Sequence, residues 1–164
     1  MADPSTDRGT RIAIVPATEA HAIDLAPRLR TADIRELEAG SGAEPLAALL
    51  VSLRRSTEAW AGTVDDEVAC IFGVGPLSLL GGEGSPWLLG ADLIERNAFA
   101  FARRNRAVVA RWLRTYPVLR NYVDARNRQA IRWLGWLGFT LLPAVPFGVS
   151  RLPFHPFELR IPDV

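Results

Sequence analysis

Between Arg96 and Arg132 the sequence carries ten arginines against one acidic residue, Asp124. Guanidinium groups gathered in this way can meet the phosphates of a nucleotide or a nucleic acid, and they can equally keep a helix face solvated. Trp87, Trp133 and Trp136 are bulky enough to line a substrate cleft or to fill a core. Other chemistries are poorly provided for. His21 and His155 stand far apart without cysteine partners, so no metal site is predicted. The single cysteine, Cys70, lies in the apolar run Val68 to Val74; it cannot form an internal disulfide and suits the core better than nucleophilic work. Gly81, Gly82 and Gly84 crowd the stretch Pro76 to Pro86, yet no lysine follows them, so the phosphate-loop pattern is absent.

These groups must be positioned by a chain of 164 residues, 49% hydrophobic and 23% charged, with a net charge of +1. That is the size and balance of one globular domain. All 19 basic residues are arginine, a bias of GC-rich coding that points to a bacterial or phage source. No apolar run reaches the roughly 18 residues that span a bilayer, and Met1 to Thr10 is polar where a signal peptide would be apolar. The expectation is a disordered tail over residues 1–10, a single domain over 11–164 and a cytoplasmic location in a bacterial cell.

Arg11 to Val15 is β-branched and closed by Pro16, which predicts a strand. Thr18 can cap a helix running to about Arg30, with Pro27 kinking or ending it early. A short helix over Ala32 to Ala39, capped by Thr31 and stopped by Gly40, comes next. Pro45 opens a third helix striped by Leu46, Leu49, Leu50 and Leu53. Glu58 to Val64 and Val68 to Gly75 flank Asp65 and Asp66 as a hairpin. Pro76 to Pro86 is expected to be a loop, Trp87 to Leu89 a strand and Phe99 to Tyr116 the longest helix, stopped by Pro117. Leu119 to Val123 is the next strand, Arg128 to Leu137 a helix with Gly138 at its left-handed cap, and Phe139 to Leu142 a last strand before a tail of prolines and phenylalanines. The hairpin implies antiparallel pairing, and the later alternation of strands and helices implies parallel pairing.

The run Asn127, Arg128, Gln129, Ala130, Ile131, Arg132, Trp133, Leu134, Gly135, Trp136, Leu137, Gly138, Phe139 resembles the pattern N-x-x-[AS]-x-x-[aromatic or Leu]-x-x-x-x-G-F of the GNAT acyl-CoA N-acyltransferases. A further likeness is to phage-encoded GNAT-like proteins related to an internal virion or assembly protein of short-tailed coliphages. It is carried by Ser85 to Gly90, Asn121 to Asn127 and Pro153 to Phe157. The resemblance implies an α/β fold, with a GNAT-like mixed antiparallel and parallel central sheet flanked by helices. It also implies acetyl-CoA or another acyl-CoA as cofactor, and a small-molecule or protein amine attacking a thioester carbonyl polarised in a backbone bulge.

On this chain the resemblance makes Tyr122 and Asp124 the catalytic candidates. Asn127, Arg103, Arg104, Leu89 and Gly90 become the cofactor-binding candidates, with Asn127 also able to cap its own helix, and Trp87 and Trp133 the substrate-binding ones. Two features depart from the family. The pyrophosphate turn [QR]-x-x-G-x-[GA] is missing between Trp87 and the long helix, where Asp92 and Glu95 stand instead. Leu134 occupies the position of the tyrosine that protonates the departing thiolate. The alternative implied by these departures is a non-catalytic virion or assembly protein that binds phage structural proteins, or nucleic acid, through Arg96 to Arg132.

Overall fold

The computed structural model describes residues 9–78 and 80–161. The expected tail over residues 1–10 therefore lies, apart from Gly9 and Thr10, outside the described residues. β1 (Ile12–Pro16) leads to a reciprocal cap: Thr18 Oγ1 accepts the His21 N–H at 3.3 Å while His21 Nδ1 accepts the Thr18 N–H at 3.1 Å. This starts α1 (Glu19–Leu25), and Pro27 follows within a 3-10 turn, Ala26–Arg28. α2 (Thr31–Gly40) begins at Thr31, with Arg30 at the cap position and no side-chain cap, so the predicted Thr31 cap is not formed. α3 (Pro45–Arg55) has Pro45 in its first turn. β2 (Glu58–Val64) and β3 (Glu67–Pro76) join through Asp65 and Asp66, with φ of 49° and 70°, the left-handed pair that a two-residue hairpin requires.

The second half departs from expectation in two places. β4 (Glu83–Gly90) takes in the end of the glycine-rich stretch that the sequence suggests is loop. Gly84 belongs there for steric reasons: a Cβ would stand 2.7 Å from Tyr116 Cγ and 3.0 Å from Leu119 Cδ2. After α4 (Leu93–Arg96), α5 (Ala98–Thr115), β5 (Val118–Asp124), α6 (Arg128–Leu137) and β6 (Thr140–Leu141), the proline-rich tail forms β7 (Val145–Phe147) and the nine-residue β8 (Leu152–Arg160). Phe154 and Phe157 anchor β8 in the core. Pro156 is tolerated because it faces the running-out β6 ladder, where only its carbonyl is used, accepting the Leu142 N–H at 2.8 Å.

The strands form one sheet in the order β1-β2-β3-β4-β5-β8-β6, with β7 paired to β8. Every pair is antiparallel except β4 with β5. β5 and β6 run the same way, as the α6 crossover predicts, but β8 is inserted between them. α5 and α6 cover one face, burying Phe101, Val109, Trp112 and Trp133 against Phe72, Leu119 and Phe157. α1 and α3 cover the other, where Leu25 and Leu49 meet Ala61 and Ile71. Gly84→Ala should lower stability by about 1–3 kcal/mol through overpacking. Gly135→Ala, in a helix interior with nothing within 4 Å of the new Cβ, should raise it by about 0.5–1 kcal/mol. Urea unfolding midpoints of the two variants would move in opposite directions.

Candidate functional site

The parallel ladder between β4 and β5 is two residues long, Glu83 opposite Val118 and Gly84 opposite Leu119, and beyond it the strands part. Along a strand, successive residues direct their N–H and C=O to alternate sides. Odd residues of β4 bond β3, as the Ala91 N–H does to the Ala69 carbonyl at 2.8 Å just past the strand, so Pro86, Leu88 and Gly90 face the gap. Tyr122 and Asp124 face it from β5. A buried polar group left unpaired costs about 1–3 kcal/mol, and here side chains replace the missing ladder.

Asn121 braces the closed end of the gap: its Nδ2 donates to the Pro86 carbonyl at 2.9 Å and its Oδ1 accepts the Tyr122 N–H at 2.8 Å. At the open end, Asp33 Oδ2 accepts the Gly90 N–H at 2.8 Å, and the Arg30 N–H donates to the Gly90 carbonyl at 2.9 Å. Glu36 Oε2 accepts the Asp124 N–H at 3.3 Å and Asn127 Nδ2 at 3.0 Å. Asp33 and Glu36 stand one turn apart, so α2 lies across the gap with one carboxylate on each strand. Asp33 is held by the Arg30 guanidinium at 2.6 Å, both side chains being buried. Of the N–H groups facing the gap, only that of Leu88 has no protein partner among the described residues.

Two cavities meet at this gap. One, of about 90 Å³, lies under α5 and α6 and is lined by Phe72, Val109, Trp112, Leu134 and Phe139, with Pro86 and Leu88 at the strand side and Asn105 in the helical wall. The other, of about 330 Å³, lies on the α3 face, where Ser52, Arg55, Ser56 and Ser85 make it polar and Trp87 and Asn121 form its floor. Trp87 lines both, and its Nε1 donates to Ser56 Oγ at 2.8 Å.

The candidate residues fall unevenly about the gap. Tyr122 is partly exposed, its ring stacked on Phe147 at 3.9 Å between centroids. Asp124 is buried; burial opposes its ionisation, but hydrogen bonds from the Arg126 side chain and backbone outweigh that and hold its carboxyl below the usual range. Its oxygens are thus engaged in a turn. Asn127 caps α6, its Oδ1 accepting the Ala130 N–H at 3.3 Å, while its amide is given to Glu36. Leu89 turns its backbone to β3 and its side chain to the α1 and α3 layer, so Leu88, one residue earlier, is the one that faces the gap. Gly90 faces it with both groups already engaged. Trp133 is packed in the core, and Cys70 is fully buried, which pushes its thiol up to about 12.

Arg103 and Arg104 are exposed on the second turn of α5. Both nitrogens of the Arg106 fork reach the Trp136 carbonyl, at 3.0 and 2.7 Å, which aligns α5 and α6 side by side. Since both helices follow strands running the same way, their N-termini lie at one end, and Arg128 and Arg132 on α6 join Arg103 and Arg104 there. These four, with Arg96 and Arg114, have no ion-pair partner among the described residues. Arg111, Arg120 and Arg126 are paired with Glu58, Glu83 and Asp124. The turn before α5 carries no glycine pattern; the short α4 occupies it, with Glu95 reaching Arg30 at 3.5 Å. A backbone bulge lies between β2 and β3, where Ala69 of β3 is the extra residue opposite Gly62 and Thr63, and β4 pairs with β3 in unbroken register.

A mixed sheet that opens between its two parallel strands, with helices on both faces, is the GNAT acetyltransferase fold, and comparison with solved structures bears this out. Ard1 from Thermoplasma volcanium superposes with a TM-score of 0.68 at 15% identity, over 93% of this chain and 99% of that one. A ribosomal-protein-alanine N-acetyltransferase from Brucella melitensis gives 0.66 at 16%, over 91% and 99%. An aminoglycoside acetyltransferase, AAC(6')-Ib, in complex with coenzyme A gives 0.66 at 16%, over 92% and 95%. No protein-family profile matches the sequence, and no curated protein does. No helix among the described residues is long and apolar enough to cross a membrane.

No motif marks Glu36, a solvent-type residue in a short helix, yet its carboxyl is raised from 4.5 to about 7 by burial, with the Asn127 hydrogen bond opposing and the charge of Asp33 adding to the rise. Between about 4.5 and 7 the unfolded chain releases a proton that Glu36 in the folded chain keeps, so the contribution of Glu36 to stability falls as pH rises through that window and is level on either side. The loss should be roughly 2–3 kcal/mol. Glu36→Gln keeps an acceptor oxygen but cannot titrate. Urea unfolding at pH 4.5 and 7.5 should therefore show this fall in the natural chain and its disappearance in the variant.

Proposed function

We propose that this chain is an acyl-CoA-dependent N-acyltransferase whose thioester donor lies in the β4–β5 gap and whose amine acceptor approaches from the α3 face. The observation that carries this is the Leu88 N–H, unpartnered between an apolar cavity on one face and a polar one on the other. CoA bound there would supply the acyl group already activated as a thioester. Leu88 would polarise the carbonyl; one preorganised donor of this kind is worth about 10²–10³ in turnover. The residues fit that end of the donor well. At the phosphate end the family's glycine turn is absent, and Arg103, Arg104, Arg128 and Arg132 are the cations available to replace it. Glu36, titrating near neutrality at the open end of the gap, is suited to take the proton from an ammonium acceptor.

The same unpaired arginines favour a second reading, in which a polyanion such as nucleic acid binds along α5 and α6 and no acyl transfer occurs. Calorimetric titration with acetyl-CoA separates the two. Binding that Arg103→Ala combined with Arg104→Ala weakens about tenfold, some 1.4 kcal/mol, is the expected result; no heat at millimolar cofactor, with a salt-sensitive shift on DNA, would support the second reading instead. Leu88→Pro gives a sharper check. Pro86 already occupies the equivalent edge position, so a proline at 88 breaks no bond to β3. It should lower turnover roughly 10²-fold and, by withdrawing the Leu88 side chain from the core cluster, lower the thermal midpoint, while leaving cofactor affinity close to that of the natural chain.

A further inference from the structure

The polar cavity on the α3 face holds a cation with no counter-charge. Arg55, in the last turn of α3, lines it. Its neighbour Arg54 is paired with Glu19 at 3.5 Å, whereas Arg55 has no ion-pair or hydrogen-bond partner among the described residues. No described residue lining the cavity is acidic. A last-turn arginine complements the helix dipole, but Arg54 does that from the same turn, and only Arg55 of the two stands in the cavity wall. Its backbone is fixed: a Cβ at Gly75 would overlap the Arg55 carbonyl, so α3 ends against β3. Just beyond, the Thr57 N–H and Oγ1 both donate to the Val74 carbonyl, at 2.9 and 3.1 Å. Ser56 Oγ is committed, donating to the Ser52 carbonyl at 2.7 Å and accepting the Trp87 indole N–H at 2.8 Å. The Ser52 and Ser85 hydroxyls have no partner among the described residues, and Ser85 shares the α3 face with Trp87 and Leu89, two and four residues on along β4.

We propose that this cavity holds the acceptor by a carboxylate: the substrate is a small primary amine of the amino-acid type, with Arg55 as counter-ion to its carboxylate and Ser52 and Ser85 as further donors. The inference rests on the acyltransferase reading above and names its acceptor class. Charge decides it. An amine reaches the site as an ammonium, and a wall whose ionised group is a guanidinium repels an ammonium that brings no anion. A carboxylate on the same molecule replaces that repulsion with a charge-assisted, two-pronged contact. One guanidinium matches one negative charge; the cavity wall has no second cation for a phosphate, which is nearly doubly ionised at neutral pH. A volume of about 330 Å³ lies at the small end of ligand pockets and suits a free small molecule. Trp87, in the cavity floor, directly precedes Leu88, so the cavity adjoins the unpaired N–H on which the acyltransferase reading turns.

The test pairs each ω-amino acid from glycine to 6-aminohexanoate with its own amide, which keeps the ammonium and loses the negative charge. Both are titrated into ¹⁵N-labelled protein at about pH 6, where every amine of the set is protonated, and followed at the Trp87 indole N–H. At least one acid should bind about tenfold tighter than its amide. Arg55→Gln should abolish that preference and leave the thermal midpoint close to that of the natural chain, because the side chain is exposed and unpaired. Arg54→Gln, which removes the same charge one residue earlier, should keep the preference. Mixed with acetyl-CoA, the acid that binds best should appear by mass spectrometry as its N-acetyl product. Equal binding of acids and amides, a preference that survives Arg55→Gln, or binding of neither series would overturn the acceptor class, and acetyl-CoA binding in calorimetry would then still support the acyltransferase reading. An acid preference that depends on Arg55, in a chain that binds no acetyl-CoA, would overturn the acyltransferase reading and the acceptor role together.

Discussion

Everything at the centre of this protein follows from a sheet that stops pairing between β4 and β5 while both strands remain inside the fold. An open ladder in a core is costly unless other groups meet its N–H and C=O groups. The chain meets most of them with side chains: Asn121 across the closed end, Asp33 and Glu36 across the open one. Asp33 can hold its position because Arg30 neutralises it where neither is exposed to water. Removing one member of such a pair leaves a buried charge without a partner, a loss of about 3–5 kcal/mol. The Arg30–Asp33 pair thus fixes α2 over the gap, and through Glu36 it fixes the turn that starts α6.

That arrangement also sorts the electrostatics. Carboxylates are gathered on the α2 side, where burial first and the charge of Asp33 second keep Glu36 protonated up to about neutrality. Unpaired arginines are gathered at the N-terminal ends of α5 and α6. Helix N-termini add to the attraction for anions at the arginine end.

Much of this architecture can be read from the sequence because it is written in local signals. The Thr18 cap, the Asp65–Asp66 hairpin, Pro45 in a first turn and Gly138 at φ 95° each need only a few residues to be recognised. β8 escapes such reading because its prolines argue against a strand locally; the pairing with β5 that overrides them is set by Phe154 and Phe157 finding the core. The gap itself is non-local, since nothing in β4 says where β5 stops matching it, and so Leu89 and Gly90 are natural choices from sequence while Leu88 is the residue exposed. One signal was available: an asparagine at a buried position of the α5 stripe is visible from spacing alone, and it marks the cavity.

Leu134 gains a different meaning in this setting. A site that expels a thiol benefits from a nearby proton donor, yet a thiol with a pKa near 8.5 needs only modest help to leave as its anion at neutral pH, about 2 kcal/mol. A leucine forgoes that help and contributes carbon surface to the same cavity, next to Leu137 and Phe139. On the acyltransferase reading proposed above, that exchange would trade fast release of the thiol for apolar surface at the acyl end of the site.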